Sequence, residues 1–239
     1  MPMMRLARTV LPELLDELPP GDSRGQHSRR DLRRINRIMM SASILAATLR
    51  QHYIGKAPPR RILELGAGDG SLMLALAGRL ARHWPDATVM LLDRQPLIAP
   101  ETMRGIERLG WRVKPVCADA FAWLEHPRPT RWDVTLANLF IHHFSAAHIS
   151  GLLEGLSQHT GLIAACEPRR STAALWASRC LGLIGANDVT RHDALVSVKA
   201  GFAGDELSQL WPLSSKQAWR LHEREAGPFS HVFVARRER

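Results

Sequence analysis

The chain has 239 residues, 45% hydrophobic and 23% charged, so it can bury an ordinary core and is too apolar to be disordered. Charged residues interrupt its apolar runs well before the roughly 18 residues that a membrane-spanning helix needs, and acids occupy the N-terminal stretch where a signal peptide would be apolar. We therefore expect a soluble, cytoplasmic protein with one domain and an appendage. The net charge of +9 indicates attraction to anions such as nucleic acid, although arginines on solvated helix faces explain it equally well.

Two helices are predicted before residue 57. Leucines at helical spacing predict the first within residues 9–18, and a longer apolar stripe predicts the second over residues 31–53. Ser28 and Asp31 are placed like a capping box at the start of the second helix. Both helices have an apolar stripe to bury, so residues 1–56 are predicted to form a helical cap over the rest of the chain.

From residue 57 the pattern alternates between short apolar strands and amphipathic helices. The predicted strands are 61–66, 88–93, 112–118, 132–139 and 162–167, and the predicted helices are 71–84, 100–109, 146–159 and 172–184. Such alternation indicates an α/β fold, a parallel sheet with helices on both faces. A short helix over 204–211 then precedes two alternating runs around a Gly-Pro turn in 218–237. These runs predict a hairpin that adds an antiparallel last strand to the sheet.

A glycine-rich turn follows the first predicted strand and reads Glu64-Leu65-Gly66-Ala67-Gly68-Asp69-Gly70. Glycines there let the backbone approach a ligand closely and leave the N–H groups of the next helix accessible. The dinucleotide fingerprint would need a glycine at position 71, where this chain has Ser71. Glu64 is also an unfavourable charge beside a pyrophosphate, so the turn favours a cationic ligand.

Polar residues also end the next three strands, at Asp93, Asp119 and Asn138. The carboxyl ends of parallel strands share one edge of the sheet, where ligands of open α/β folds bind. Together with the glycine turn and the segment DVTLANLFIHHF, these residues resemble the class I S-adenosylmethionine-dependent methyltransferases over about residues 58–237.

That resemblance implies a Rossmann-like seven-stranded sheet, mostly parallel with its last strand antiparallel. It implies a methyltransferase domain over residues 57–239, with an insertion around 185–212 that builds the acceptor pocket. It implies S-adenosylmethionine as cofactor, and no metal is required. The cofactor residues implied are Glu64, Gly66, Ala67, Gly68, Gly70, Asp93, Arg94, Gln95, Asp119, Ala120, Phe121, Asn138 and Leu139.

Three histidines are candidates for the base that removes a proton from a hydroxyl or carbon acid. His142 and His143 follow the fourth strand on the edge that the methyl group should face, and imidazole titrates near neutrality. His192 stands beside Asp193 within the implied insertion and resembles a base with its orienting acid. The alternatives are that the paired histidines pack on the sheet and cap the next helix, and that His192 lies in a surface turn.

Four residues are candidates for contact with the methyl acceptor. Arg169 and Arg170 end the fifth strand, where arginine could hold a carboxylate or phenolate. Met39 and Met40 could border an apolar acceptor pocket if the second helix is a lid, although ordinary core positions would suit them too. The three cysteines, at positions 117, 166 and 180, lie in apolar contexts without CxxC spacing, which predicts buried free thiols and no zinc site.

The segment NLFIHHF departs from the Asn/Asp-Pro-Pro-aromatic ending of many amino-methyltransferases, which disfavours a nucleic-acid substrate. It is similar to enzymes that methylate quinone precursors, phenols and polyketide products. We therefore expect methyl transfer to oxygen or carbon of such a small acceptor. An RNA- or protein-modifying methyltransferase guided by the basic residues 24–37, and a noncatalytic cofactor-binding protein, remain alternatives. The choice between oxygen and carbon, and between monomer and homodimer, stays open.

Overall fold

The computed structural model of the chain describes residues 6–19, 21–126 and 131–238. Seven strands form one sheet in the order β3-β2-β1-β4-β5-β7-β6. The strands are β1 (Arg61–Leu65), β2 (Thr88–Asp93), β3 (Arg112–Cys117), β4 (Trp132–Asn138), β5 (Thr160–Pro168), β6 (Trp219–Ala226) and β7 (Ser230–Arg237). The first five strands are parallel, and β7 runs antiparallel between β5 and β6. The predicted sheet and its antiparallel last strand are thus confirmed.

Helices cover both faces of the sheet. They are α1 (Leu14–Glu17), α2 (Ser23–Ile38), α3 (Ser41–His52), α4 (Ser71–Leu80), α5 (Pro100–Arg108), α6 (Ala120–Glu125), α7 (Ala146–His159), α8 (Thr172–Arg179), α9 (Asp188–Ala200) and α10 (Glu206–Gln209). Three 3₁₀ turns add Ile141–His143, Cys180–Ile184 and Leu213–Ala218. One core packs α3 and α4 on the sheet, and the other packs α6 and α7 on the opposite face. In β1, Ile62 packs in the first core and its neighbour Leu63 in the second, because successive side chains of a strand point to opposite faces of the sheet.

The predicted helix over 31–53 is two helices. The helix is interrupted at Met40, which immediately precedes α3 and has a left-handed backbone conformation with a φ of 59°. The first of the two begins earlier than predicted, at Ser23, where the Asp22 side chain accepts the N–H of Gly25 at 2.8 Å. Ser28 and Asp31 therefore do not form a capping box. They are buried inside α2, where both lie within hydrogen-bonding distance of the Thr190 hydroxyl on α9.

The predicted helix within residues 9–18 is a single turn, α1, preceded by extended backbone. Pro12 lacks an N–H group and so cannot donate a helical hydrogen bond. The backbone of this segment instead makes hydrogen bonds to α9. The Asp193 carboxylate accepts the N–H groups of Leu14 and Leu15 at 2.8 and 2.9 Å, and the Thr9 N–H donates to the carbonyl of Lys199 at 3.1 Å. Residues 188–200, expected as part of an insertion, thus form a helix that holds the N-terminal segment.

The cysteine prediction is partly wrong. Cys166 is fully buried in the sheet and Cys180 is half-buried, but Cys117 is exposed because β3 is the edge strand and turns little of its surface into the core. In the described part of the chain, no helix is long and apolar enough to cross a membrane.

Phe202 should be one of the main contributors to stability. Its side chain is fully buried, and its backbone joins the end of β5 through hydrogen bonds with Pro168 and Arg170. We expect Phe202→Ala to lower the free energy of unfolding by about 3–5 kcal/mol, because the removed ring leaves a cavity. Ile54→Ala, at a position 75% exposed, should change it by less than about 0.5 kcal/mol. Urea denaturation of both variants measures the difference, and equal losses would contradict this assignment.

Candidate cofactor and acceptor site

A cavity of about 390 Å³ lies at the carboxyl ends of β1, β2 and β4, beneath α1 and α2. Eleven of the thirteen predicted cofactor residues line it: Glu64, Gly66, Ala67, Gly68, Asp93, Arg94, Gln95, Asp119, Ala120, Asn138 and Leu139. Gly70 and Phe121 do not border the cavity. The sheet therefore brings the sequence motifs of four strands to one cavity, as the shared edge of parallel strands predicts.

The glycine turn is shaped by its neighbours. Gly66, Gly68 and Gly70 have φ angles of 64°, 54° and 75°, which side chains rarely adopt. A Cβ atom on Gly66 would overlap the ring of Phe140, and one on Gly70 would lie 3.0 Å from Thr102. Gly70 thus allows close packing and the start of α4 rather than lining the cavity.

Two carboxylates hold the loops around the cavity in place. Asp93 accepts the N–H of Gly68 and the N–H of Gln95, each at 2.8 Å, and so ties the end of β2 to the glycine turn. Asp119 accepts the N–H groups of Phe121 and Ala122 at 2.9 and 3.0 Å and caps α6. A carboxylate offers about four acceptor positions, so each can also accept a hydrogen bond from a bound hydroxyl or amine.

Two buried oxygens of the cavity wall lack a hydrogen-bond partner among the described residues, Glu64 Oε2 and Asn138 Oδ1. Burial raises the pKa of Glu64 well above its usual value, and the carboxylates of Asp69 and Asp93 raise it further. The amide of Asn138 donates to Asn36 Oδ1 at 3.2 Å. Orphaned acceptors are costly, so this wall suits a ligand that brings hydrogen-bond donors and positive charge.

A buried imidazole lies between two carboxylates at one end of the cavity. His142 Nδ1 is 2.7 Å from Glu167 Oε2, and His142 Nε2 is 3.2 Å from Glu13 Oε1. Burial alone would lower the pKa of His142, but the hydrogen bonds to Glu13 and Glu167 raise it to about 9. The ring is therefore protonated at neutral pH, and both of its nitrogens are engaged.

Glu167 also shapes the loop after β4. Its carboxylate accepts the backbone N–H groups of Phe140, Ile141 and His142 at 3.0–3.4 Å. These bonds satisfy a fully buried acid with the amides of a single turn and fix the position of the histidines.

His143 differs from His142 in its surroundings. Its side chain is 23% exposed, lines the cavity, and has Nδ1 3.2 Å from Asp16 Oδ2 and Nε2 3.6 Å from Glu13 Oε2. Each ring nitrogen of His143 thus lies beside a carboxylate, and the ring borders the cavity. Sequence reasoning missed both acids because they lie more than 120 residues away; their only signal was two acids in an otherwise apolar helical pattern.

Glu13, His142 and His143 bring one ligand atom each within 4.8 Å of one another, an arrangement that could accommodate a cation. The pairings of these atoms with each other and with Glu167 account for their spacing without an ion.

A second, aliphatic cavity of about 120 Å³ adjoins the first. Five residues border both cavities: Glu13, Leu15, Leu32, Leu139 and Ser197. The remaining wall comes mainly from α2, α8, α9 and the turn after α8, and is built largely from aliphatic side chains. The Glu13 carboxylate thus stands where the two cavities meet, and the Ser197 hydroxyl donates a hydrogen bond to it.

The N-terminal segment is fastened across the first cavity by polar contacts. Arg33 on α2 pairs with Asp69 at 2.6 Å, and Arg94 after β2 pairs with Asp16 at 3.2 Å. Arg29 donates to Gln95 at 3.1 Å. These contacts join the predicted cap to two loops of the cofactor edge, the glycine turn and the loop after β2.

The other predicted site residues lie away from the first cavity. His192 Nδ1 is 2.9 Å from Asp193 Oδ1, but the half-exposed ring of His192 borders neither cavity. The Asp193 carboxylate accepts hydrogen bonds from the backbone of the N-terminal segment. Arg170 is buried against Glu206 and the carbonyls of Leu6 and Gly201.

Arg169 pairs with Glu225 at 2.7 Å and lies outside both cavities. Met39 borders the second cavity, and Met40 is 53% exposed at the helix break.

Comparison with known proteins bears on the fold. No family model matches the chain. Trans-aconitate 2-methyltransferases from Mycobacterium sp. strains KMS, JLS and MCS are 35% identical over 97 residues, which cover 35% of this chain and 37% of those relatives. The match thus spans little more than a third of the relatives' length.

Several solved structures have the same fold. The plantazolicin methyltransferase BpumL in complex with S-adenosylhomocysteine (SAH) has a TM-score of 0.65 at 14% identity, covering 91% of this chain and 92% of that one. The magnesium protoporphyrin IX methyltransferase ChlM from Synechocystis PCC 6803, with bound SAH, has a TM-score of 0.53 at 13% identity, covering 84% and 83%. An O-methyltransferase family protein from Burkholderia thailandensis has a TM-score of 0.52 at 18% identity, covering 75% and 51%. The chain therefore has the fold of the class I methyltransferases, as the glycine turn and the strand-end residues predicted.

Proposed function

We propose that the protein transfers a methyl group from S-adenosylmethionine to oxygen or carbon of a small acceptor with an apolar body, such as a phenol, a quinone precursor or a polyketide product. The observation that carries this proposal is the junction of the two cavities. A polar cavity lined by the glycine turn and the strand-end acids meets an aliphatic cavity beside Glu13 and the paired histidines. A donor and an apolar acceptor can therefore meet at a point lined by acid and base groups.

The residues present fit the proposed cofactor. The orphaned Glu64 Oε2 and Asn138 Oδ1 would receive the donors and positive charge of the methionine end. Gly66 and Gly68 would allow the close approach, Asp93 would accept the ribose hydroxyls, and the region of Asp119 and Ala120 would face the adenine. S-adenosylmethionine would supply an electrophilic methyl group on a sulfonium, whose carbon an acceptor's nucleophile would bond to as the C–S bond breaks and SAH leaves.

His143 is the proposed general base. It lines the first cavity, Asp16 orients its ring through Nδ1, and Nε2 lies close to the junction with the aliphatic cavity. An oriented imidazole can take the proton of a hydroxyl or carbon acid directly or through one water. His142, protonated and locked between carboxylates, instead positions Glu13.

The charges at the junction favour an acceptor that brings a proton rather than a negative charge. Glu13 lines both cavities, and burial would raise its pKa, but the hydrogen bond from His142 keeps it below its usual value. An acceptor carboxylate placed there would face this ionised acid. The trans-aconitate named for the curated relatives is such an anion, so we do not extend that acceptor to this chain.

Two measurements test the function directly. Calorimetric titration with S-adenosylmethionine and SAH should give micromolar dissociation constants, and transfer of labelled methyl should reach a phenol or quinone precursor rather than bulk RNA. No binding of either nucleoside would refute the proposal. Label entering RNA alone would favour the basic residues 24–37 as a guide and an RNA-modifying activity.

Asp93→Ala should weaken SAH binding about 10- to 100-fold, because it removes both the proposed ribose acceptor and the anchor of the Gly68 N–H. Asp93→Asn should weaken SAH binding less, since its amide oxygen can keep one of these bonds. Glu101→Ala, at an exposed acid on α5, is the matched control and should bind normally. Calorimetry with SAH measures all three, and unchanged affinity of Asp93→Ala would refute the ribose assignment.

His143→Ala should lower kcat for the methylated acceptor about 10²- to 10⁴-fold, while SAH affinity changes less than about threefold. His192→Ala should keep the wild-type kcat, because His192 borders neither cavity. Initial rates with labelled donor measure both.

A chelator such as EDTA should leave the rate unchanged. Loss of activity with EDTA that added zinc or manganese restores would instead assign Glu13, His142 and His143 to a metal.

The Glu13–His142 pair should make stability depend on pH on the alkaline side. The pKa of His142 is about 9 in the folded protein and 6.5 in the unfolded chain. Its stabilising contribution is therefore complete below pH 6.5 and is lost as the pH rises through 9. The free energy of unfolding should fall by about 3 kcal/mol over that range.

Glu13→Gln should flatten this decline, because the amide no longer favours the protonated ring. Urea unfolding of both proteins between pH 6 and about 9.5 measures the slopes. Equal slopes would show that the Glu13 contact does not contribute to the raised pKa of His142.

A further inference from the structure

Large apolar side chains are exposed around the second cavity. Twelve large hydrophobic residues are exposed in the described part of the chain, and four of them, Ile38, Trp176, Leu183 and Ile184, belong to the elements that build this cavity. Trp176 is 70% exposed and Leu183 87%. We refer to Trp176, Leu183 and Ile184 as the outer apolar face.

This face is the reverse side of a segment whose inner side lines the cavity. Along residues 174–181, Ala174, Ala177 and Leu181 border the second cavity, whereas Trp176 points to solvent. An ordinary surface helix buries one stripe and presents polar side chains on the other. Apolar side chains on both sides indicate that a second apolar environment covers the outer side.

The surroundings of the outer apolar face are basic. Residues 168–187 contain three arginines and no acid, and α2, on the other side of the cavity, contains six arginines and a single acid, Asp31, which is buried. Five of these nine arginines pair with acids: Arg24 with Asp188, Arg33 with Asp69, Arg34 with Asp31, Arg169 with Glu225 and Arg170 with Glu206. Arg37 and Arg179 are exposed, and Arg191 lies against Gly182 in the turn of the apolar face. The covering surface is therefore expected to be anionic.

We propose that the outer apolar face binds the surface of an anionic lipid bilayer. Trp176, Leu183 and Ile184 would enter the boundary between headgroups and acyl chains, and the flanking arginines would contact lipid phosphates. Nucleic acid would also attract the arginines, but its phosphate backbone offers no apolar environment for Leu183, which is 87% exposed.

This surface also explains how an apolar acceptor reaches the second cavity. Ile38 lines that cavity and is 52% exposed, so the cavity reaches the molecular surface between α2 and the segment that carries the outer apolar face. A protein bound in this orientation places the opening of an aliphatic cavity beside the bilayer. The inferred acceptor is thus an amphiphile that partitions into lipid, with its polar head towards Glu13.

Vesicle co-sedimentation tests the proposal on the full chain. Vesicles of phosphatidylcholine mixed with phosphatidylglycerol should bind the protein, vesicles of phosphatidylcholine alone should bind it weakly, and added salt should reduce binding. The double variant Trp176→Ser, Leu183→Ser should lower the partition coefficient at least about tenfold. Arg179→Gln should lower it about fivefold, because one cation near the surface is lost.

Ile54→Ser and Arg108→Gln are matched controls, because both residues are exposed and lie outside the cavity-forming elements. They should bind vesicles as the wild type does. Circular dichroism and SAH titration check that each variant is folded.

No binding to the anionic vesicles, or equal losses in the controls, would overturn the proposal. Binding to bulk RNA that the double variant retains, without vesicle binding, would assign the basic surface to nucleic acid. Because SAH binding is measured separately, failure on vesicles with intact SAH affinity would leave the methyltransferase proposal standing.

Discussion

The buried contact of His142 with Glu167 and Glu13 is the constraint on which the site depends. One carboxylate ends β5, the imidazole belongs to the loop after β4, and the other carboxylate comes from the N-terminal segment. Three parts of the chain that are distant in sequence are thereby fixed to one another. The contact acts together with the pair Arg94–Asp16 and with Asp193 of α9, which accepts the N–H groups of Leu14 and Leu15, to place the N-terminal segment over the cavity.

The energetics of the contact explain why all three residues act together. A buried carboxylate is stable only when it is paired and hydrogen-bonded, and removing one partner leaves an uncompensated charge. Glu167 satisfies this requirement with three backbone amides and the imidazole, and Glu13 with the imidazole and the Ser197 hydroxyl. The bonds to Glu167 thus hold the loop that carries His143, and the fold itself sets the position of this imidazole relative to the cavity.

The sequence was most informative where structure is local. Strand and helix periods located the sheet, and the rule that parallel strands end on one edge predicted that Asp93 and Asn138 would line a common cavity. It was least informative about Glu13 and Asp16, whose partners are set by tertiary packing on α9. It did not show that the His192–Asp193 pair forms away from the first cavity, where Asp193 also accepts the backbone N–H groups of Leu14 and Leu15.

The two sides of the N-terminal segment are held by interactions of different strength, and this difference assigns each cavity its own route to solvent. Over the first cavity, the pairs Arg33–Asp69 and Arg94–Asp16 are partly exposed, and such ion pairs contribute at most about 1 kcal/mol. Over the second, α2 contacts α9 through the buried bonds of Thr190 with Ser28 and Asp31, which are costly to break. A polar donor can therefore exchange by opening the weak polar contacts while the aliphatic cavity keeps its walls. Under the proposed orientation on a bilayer, an apolar acceptor would instead enter its cavity past Ile38, without displacing the helix that carries this residue.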